Sequence, residues 1–168
     1  MRIKINGVLT DSIVDGPGFR LTVFTQGCRH HCPNCHNPQT HDFSGGFWTD
    51  TEDILAAVRD NPLLDGITLS GGDPMEQAEA CACLAKAIHE KGLSVWTYTG
   101  YTWEALLAEN DPQRIALLKE TDVLVDGPFI ESLRSLELQF KGSSNQRAIL
   151  SRQSLESGTL LLWTSKDG

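Results

Sequence analysis

At 168 residues the chain can bury one substantial core but not two. Its 40% hydrophobic and 21% charged residues are those of a globular protein, and no apolar run approaches the roughly 20 residues of a membrane span. The net charge of -8 and the absence of a basic cluster argue against nucleic acid as a partner. The first residues carry neither the apolar stretch nor the small-residue cleavage site of a signal peptide, so a cytoplasmic location with no membrane partner is expected. In that compartment five cysteines point to metal or redox chemistry rather than disulfides. No repeat or low-complexity stretch divides the chain, and residues 1–168 are read as a single domain.

In chain order, Arg2 to Leu9 alternates as a short strand with Gly7 as its weak point. A turn-rich stretch, Asp15-Gly16-Pro17-Gly18, precedes the β-branched and apolar run Arg20–Gln26, a buried strand that leads directly into Gly27 and Cys28. A helix is expected from about Asp50 to Asp60, with Thr49 and Glu52 at capping-box spacing and Ile54, Leu55 and Val58 on its apolar face. Asn61-Pro62 stops it. The next strand, Gly66–Ser70, ends at Gly71-Gly72-Asp73-Pro74, and a helix from about Pro74 to Lys91 follows, closed by Gly92.

Ser94–Thr99 is a further strand, ending at Gly100. Two helices come next, Thr102 to Glu109 and a second capped by Asp111-Pro112 and reaching Glu120. Asp122–Asp126 is the fourth clear strand, and Ala148–Ser151 and Leu160–Trp163 are candidate short ones. The alternation predicts an α/β fold of right-handed βαβ units with a mainly parallel sheet. Each glycine- or cysteine-rich segment follows the C-terminal end of a strand, where such folds assemble their sites. A full eight-unit barrel needs about 250 residues, so the expected architecture is a partial or open (βα) barrel.

Cys28, Cys32 and Cys35 form a C-x3-C-x2-C cluster. Short cysteine loops of this kind wrap iron–sulfur clusters, and a cubane cluster uses four thiolates when the protein supplies every ligand. Three thiolates would leave one iron open to a small molecule. The same spacing also suits a closed zinc site in which His36 is the fourth ligand, and on the cysteines alone both readings stand. His30, His31 and His41 favour neither reading, since a loop histidine is ordinarily solvated. Cys81 and Cys83 lie on the second expected helix and point about 200° apart, so they cannot share a metal and read as packing thiols.

Taken together, Ser12-Ile-Val-Asp-Gly-Pro-Gly-Phe-Arg20, Phe24-Thr-Gln-Gly-Cys28, the cysteine cluster and Gly71-Gly72-Asp73-Pro74 resemble the radical S-adenosylmethionine superfamily. Within it they resemble the enzymes that activate glycyl radical proteins, above all those serving anaerobic ribonucleoside-triphosphate reductase. The short chain fits that group, as do Asp126-Gly-Pro-Phe129 and Lys141-Gly-Ser-Ser-Asn-Gln-Arg147. The resemblance covers about residues 10 to 147.

The resemblance implies an oxidoreductase with a [4Fe-4S] cluster on Cys28, Cys32 and Cys35. Its open iron would bind the amino and carboxylate groups of S-adenosylmethionine, whose reductive cleavage yields methionine and a 5′-deoxyadenosyl radical. That radical would take hydrogen from a glycine Cα of the reductase, and a low-potential donor such as flavodoxin would supply the electron. Gly71, Gly72, Asp73 and Pro74 correspond to the loop that receives the methionine amino group, two glycines permitting close backbone approach and a carboxylate suiting an ammonium.

Thr99 and Asp126 end the next two strands and should face the same pocket, while Asn145 and Arg147, with Ser143 and Ser144, are candidates for the carboxylate or ribose. One departure concerns the adenine: many superfamily members carry an aromatic residue before the third cysteine, where this chain has Asn34, which leaves His36 or backbone groups for the ring. Three alternatives accompany this reading. They are a radical enzyme for a small molecule, a non-catalytic Cys3His zinc module, and an activase of another glycyl radical enzyme such as pyruvate formate-lyase. The last group carries Asp-x-Lys after the fourth strand, where this chain has Asp126-Gly-Pro.

Overall fold

The computed structural model describes residues 1–135 and 137–164. Seven strands form one sheet: β1 (Arg2–Ser12), β2 (Arg20–Thr25), β3 (Phe47–Asp50), β4 (Gly66–Gly71), β5 (Ser94–Tyr98), β6 (Val123–Asp126) and β7 (Arg147–Leu150). Their order is β3-β1-β2-β4-β5-β6-β7. The four strands expected to alternate with helices, β2, β4, β5 and β6, pair in parallel. The flanks do not: β1 is antiparallel to both β2 and β3, and β7 is antiparallel to β6. The sheet is therefore mixed rather than mainly parallel. The reason at one flank is loop length, since residues 13–19 between β1 and β2 are too few for a crossover.

The expected helices form as α1 (Thr51–Arg59), α2 (Ala78–Glu90), α3 (Trp103–Glu109) and α4 (Pro112–Lys119), and a fifth, α5 (Ser151–Ser157), follows β7. Helix α1 starts from Asp50, whose side chain accepts from the Glu52 amide, so Asp50 and not Thr49 is the cap. Residues Pro74–Gln77 form a separate 3-10 turn before α2, and Gly92 takes the left-handed conformation at φ +76° just beyond it. β3 and α5 were not anticipated from the sequence, and Leu160–Trp163 supplies only a single bridge, Ile149 to Leu162.

Side chains alternate across the sheet. Leu21, Val23, Ile67, Leu69, Val95, Leu124 and Ile149 face the helices and make the main core with Leu84, Ile88, Leu117 and Leu118. The opposite face holds Trp96, Val123 and Val125, with Phe140 and Trp163 packed edge-on to Trp96. It also holds Arg20, which is fully buried. The Arg20 guanidinium donates to Thr68 Oγ1 at 2.9 Å and to the carbonyls of Ile67, Ser94 and Pro17, so the cation is dispersed among neutral acceptors. Burial lowers its pKa to about 10. Through Pro17 this arginine pins the turn-rich 15–18 segment to the sheet, which brings Asp15 to the rim of the pocket described next.

Candidate active site

Four strand ends meet at one open pocket. β2 delivers Cys28, Cys32 and Cys35; β4 delivers Ser70, Gly71 and Gly72; β5 delivers Thr99 and Gly100; β6 delivers Gly127 and Phe129. This convergence follows from parallel strands of similar length, whose C-terminal ends share one edge.

The cysteine loop and the Gly-Gly-Asp-Pro loop are joined by main-chain bonds. Gly72 N donates to Thr25 O at 2.8 Å and Asp73 N to Gly27 O at 2.8 Å, while Gly27 N reaches Thr40 O at 2.7 Å. The approach is so close that a Cβ on Gly72 would lie inside contact distance of Gly27 O, 2.8 Å from Gly27 C and 2.9 Å from Thr40 O. Cys28 is buried, whereas Cys32 and Cys35 are half-buried at the pocket. Burial, with Asp73 and the other two thiols adding to it, pushes the Cys28 thiol up to about 11 although a backbone N–H of His30 opposes the shift. Cys28 is therefore a thiol at neutral pH unless a metal ion takes its proton's place.

Among the described residues no three His, Cys, Asp or Glu side chains close around a single point as one metal ion requires. Cys28, Cys32 and Cys35 line one cavity, and thiolates are the ligands an iron–sulfur cluster takes. His36 lines the same pocket, with its ring centroid 5.0 Å from that of Phe129.

Asp73 does not offer a free carboxylate. It is 1% exposed, and both oxygens are occupied: Oδ1 accepts from Met75 N at 3.0 Å and Oδ2 from Gly100 N at 3.0 Å, Thr99 Oγ1 lies 2.9 Å from each, and His30 Nε2 lies 2.6 Å from Oδ2. Pro74 is buried at the start of the 3-10 turn. What this loop leaves open to a ligand is the backbone of Gly71 and Gly72.

Asp126, Asn145 and Arg147 lie together but away from the pocket lining. Asp126 is fully buried, caps α3 by accepting from Trp103 N at 2.8 Å, and accepts from Arg147 Nε at 3.1 Å. Arg147 continues to Glu104, and these hydrogen bonds raise its pKa further. Asn145 donates to Pro128 O at 2.8 Å. Its neighbour Gln146 lines the pocket instead and donates to Gly127 O at 3.0 Å.

Sequence reasoning did not single out His30, Phe129, Asp15 or Gln146. For His30 no local pattern could have served, because its partner is 43 residues away. Phe129 was visible only as the last residue of a motif.

Comparison with known proteins settles the kind of site. A family model described as a 4Fe-4S single cluster domain matches residues 14–149. The chain is 41% identical over 142 residues to the anaerobic ribonucleoside-triphosphate reductase-activating protein of Vibrio cholerae, an alignment covering 80% of this chain and 89% of that one. The chain belongs to the family of anaerobic ribonucleoside-triphosphate reductase-activating proteins. The family member of phage T4 is 32% identical over 163 residues, covering 92% of this chain and 90% of its own. QueE from Escherichia coli shares the fold, with a TM-score of 0.51 at 19% identity, over 61% of this chain and 54% of that one. The zinc reading left open by the cysteine spacing gives way to a 4Fe-4S site.

Proposed function

We propose that Cys28, Cys32 and Cys35 hold the [4Fe-4S] cluster and that the chain activates anaerobic ribonucleoside-triphosphate reductase by hydrogen abstraction from a glycine Cα. The observation that carries this reading is the convergence of three thiols and the bare Gly71–Gly72 backbone on one open pocket. When bound, the cluster supplies the electron that splits the sulfonium bond of S-adenosylmethionine into methionine and the 5′-deoxyadenosyl radical that abstracts the hydrogen.

The protein's own part is to bind and orient. Cys28, Cys32 and Cys35 would supply three of the cluster's ligands, and the Gly71 and Gly72 main chain on the same pocket would bind the methionine moiety. Asp73 acts behind that loop, shaping it through Thr99, Gly100 and Met75. His36 and Phe129 provide flat surfaces for the adenine in place of the aromatic residue that Asn34 replaces. Asp126, Asn145 and Arg147 brace the far wall, with Gln146 facing inward.

We read β2, β4, β5 and β6 as a partial, open barrel whose uncovered mouth admits the reductase's backbone. A flavodoxin-type donor and a cytoplasmic setting complete the proposal. Among the described residues no helix is long and apolar enough to cross a membrane.

The test has two stages. The electron paramagnetic resonance spectrum of the anaerobically reconstituted, reduced protein should change when S-adenosylmethionine is added. Mixing with the reductase should then produce a glycine-centred radical. A cluster signal indifferent to S-adenosylmethionine would leave an electron carrier, and an active cluster without a glycyl radical would sink the partner assignment.

A further inference from the structure

The chain segment 29–35, which ends at the third cysteine, makes no main-chain hydrogen bond to another segment among the described residues; its one main-chain bond, Cys35 N to Cys32 O at 3.2 Å, lies within it. Its charged and hydrogen-bonded anchors are two side chains. His30 Nε2 donates to Asp73 Oδ2 at 2.6 Å, and Arg29 Nε donates to Glu76 Oε2 at 2.9 Å. Arg29 is mostly exposed, which weakens its pairing. His30 is the stronger hold: its side chain is 16% exposed and Asp73 is buried.

The fit around the His30 ring is specific. It stands edge-on to Tyr101 with centroids 4.5 Å apart, and a Cβ on Gly100 would come within 2.5 Å of it. Tyr101 is itself fixed by its hydroxyl on Glu76 at 2.5 Å. The same Asp73 carboxylate that receives His30 also receives Thr99 and Gly100 from the end of β5. One buried carboxylate thus ties together the cysteine loop, the Gly-Gly loop and the β5 loop.

We propose that His30 and Asp73 are a positioning pair, which sets the cysteine loop against the Gly71–Gly72 backbone and so governs how firmly the cluster is held and how well it meets S-adenosylmethionine. The proposal rests on the cluster reading above, and assigns His30 a role through Asp73 rather than as a ligand. It also explains why both carboxylate oxygens are filled by protein donors. A hydrogen-bond partner behind a metal site is worth about 10- to 100-fold in metal affinity in comparable cases.

The test compares wild type with His30→Ala, His30→Gln and Thr99→Val, each reconstituted anaerobically. Two quantities are read: the rate at which a chelator strips iron, and the S-adenosylmethionine concentration that half-shifts the reduced cluster's resonance. His30→Ala should lose iron about tenfold faster and need more S-adenosylmethionine. His30→Gln, whose amide nitrogen can stand where Nε2 stands, should restore most of the difference. Thr99→Val, which leaves the cysteine loop intact, should speed iron loss to a smaller extent and carries the test if His30→Ala does not fold.

Iron loss from His30→Ala at the wild-type rate, or from His30→Gln as fast as from His30→Ala, overturns the pairing. If His30→Ala does not fold, wild-type iron retention in Thr99→Val does so. A wild-type signal unmoved by S-adenosylmethionine overturns the functional reading instead, and the iron-loss comparison still decides the pairing.

Discussion

Replacing Gly72 by alanine tests whether the close approach of two backbones holds the site together. The added methyl would press on three main-chain atoms, with Gly27 C at 2.8 Å and Thr40 O at 2.9 Å, where carbon contacts settle at about 3.5–4.0 Å. No side chain can swing aside, so the strands' ends must part by about 1 Å. Two hydrogen bonds of 2.8 Å, Gly72 N to Thr25 O and Asp73 N to Gly27 O, would stretch beyond useful length. At about 1 kcal/mol net for each bond, plus the penalty for buried groups left without partners, the loss is about 2–4 kcal/mol. With a urea slope of about 2 kcal/mol/M, the unfolding midpoint should fall by roughly 1–2 M.

Urea titrations of the metal-free protein followed by tryptophan fluorescence measure this, with iron content after reconstitution as the second readout. Gly92→Ala is the control. It forces alanine into a left-handed conformation with nothing within 4 Å of the new methyl, far from the site in the chain. It should lose about 1–2 kcal/mol and load iron normally. A Gly72→Ala midpoint within about 0.3 M of wild type, with full iron, would refute the argument that these loops are held by contact.

Other outcomes follow from the same geometry. Replacing Cys28, Cys32 or Cys35 by serine should each abolish the cluster's visible absorbance, while Cys83→Ser, on the exposed face of α2, should leave iron content unchanged. Asp126→Ala removes the partner of Trp103 N and of Arg147 and should destabilise the metal-free protein by about 2–3 kcal/mol, the partial exposure of Arg147 limiting the loss. Unchanged melting with weakened S-adenosylmethionine binding would place Asp126 in the ligand site instead.

His89 sits between Glu120 at 2.9 Å and Asp122 at 2.8 Å; burial opposes its charge, but the two hydrogen-bonded carboxylates outweigh burial and raise its pKa. Its contribution to stability is therefore complete below the unfolded value of about 6.5 and fades as pH rises through the folded one. Melting temperatures of wild type and His89→Gln should converge as pH increases from 6 to 9 on about that scale, and parallel curves would contradict this.

Much of the architecture was legible because local rules carried it. The runs that became β2, β4, β5 and β6 are rich in β-branched and apolar residues, which pack well on a pleated, buried surface. Asp111-Pro112 and Thr102 start helices by their own side-chain chemistry. Phe47–Asp50 escaped notice because an edge strand of four half-exposed residues has no periodicity to read. Its identity as a strand comes from pairing with Arg2–Ile5, more than 40 residues away. The antiparallel flanks escaped for a similar reason, since the direction of β7 is fixed by its pairing with β6, from Asp126 with Arg147 to Val123 with Leu150.

The sequence by itself determined the chemistry: three thiols in eight residues, two adjacent glycines at a strand end, and motifs in the order that marks the family. Those are properties of neighbours in the chain, and covalent spacing alone limits what they can bind. Tertiary structure decided the roles of the charged residues. Asp73 is spent on holding three loops, Asp126 and Arg147 on bracing a wall, and His30 turns from a solvated loop histidine into a buried partner of a carboxylate. A charge in a folded protein takes its function from what surrounds it, and for these residues the surroundings come from segments 21 to 43 residues away.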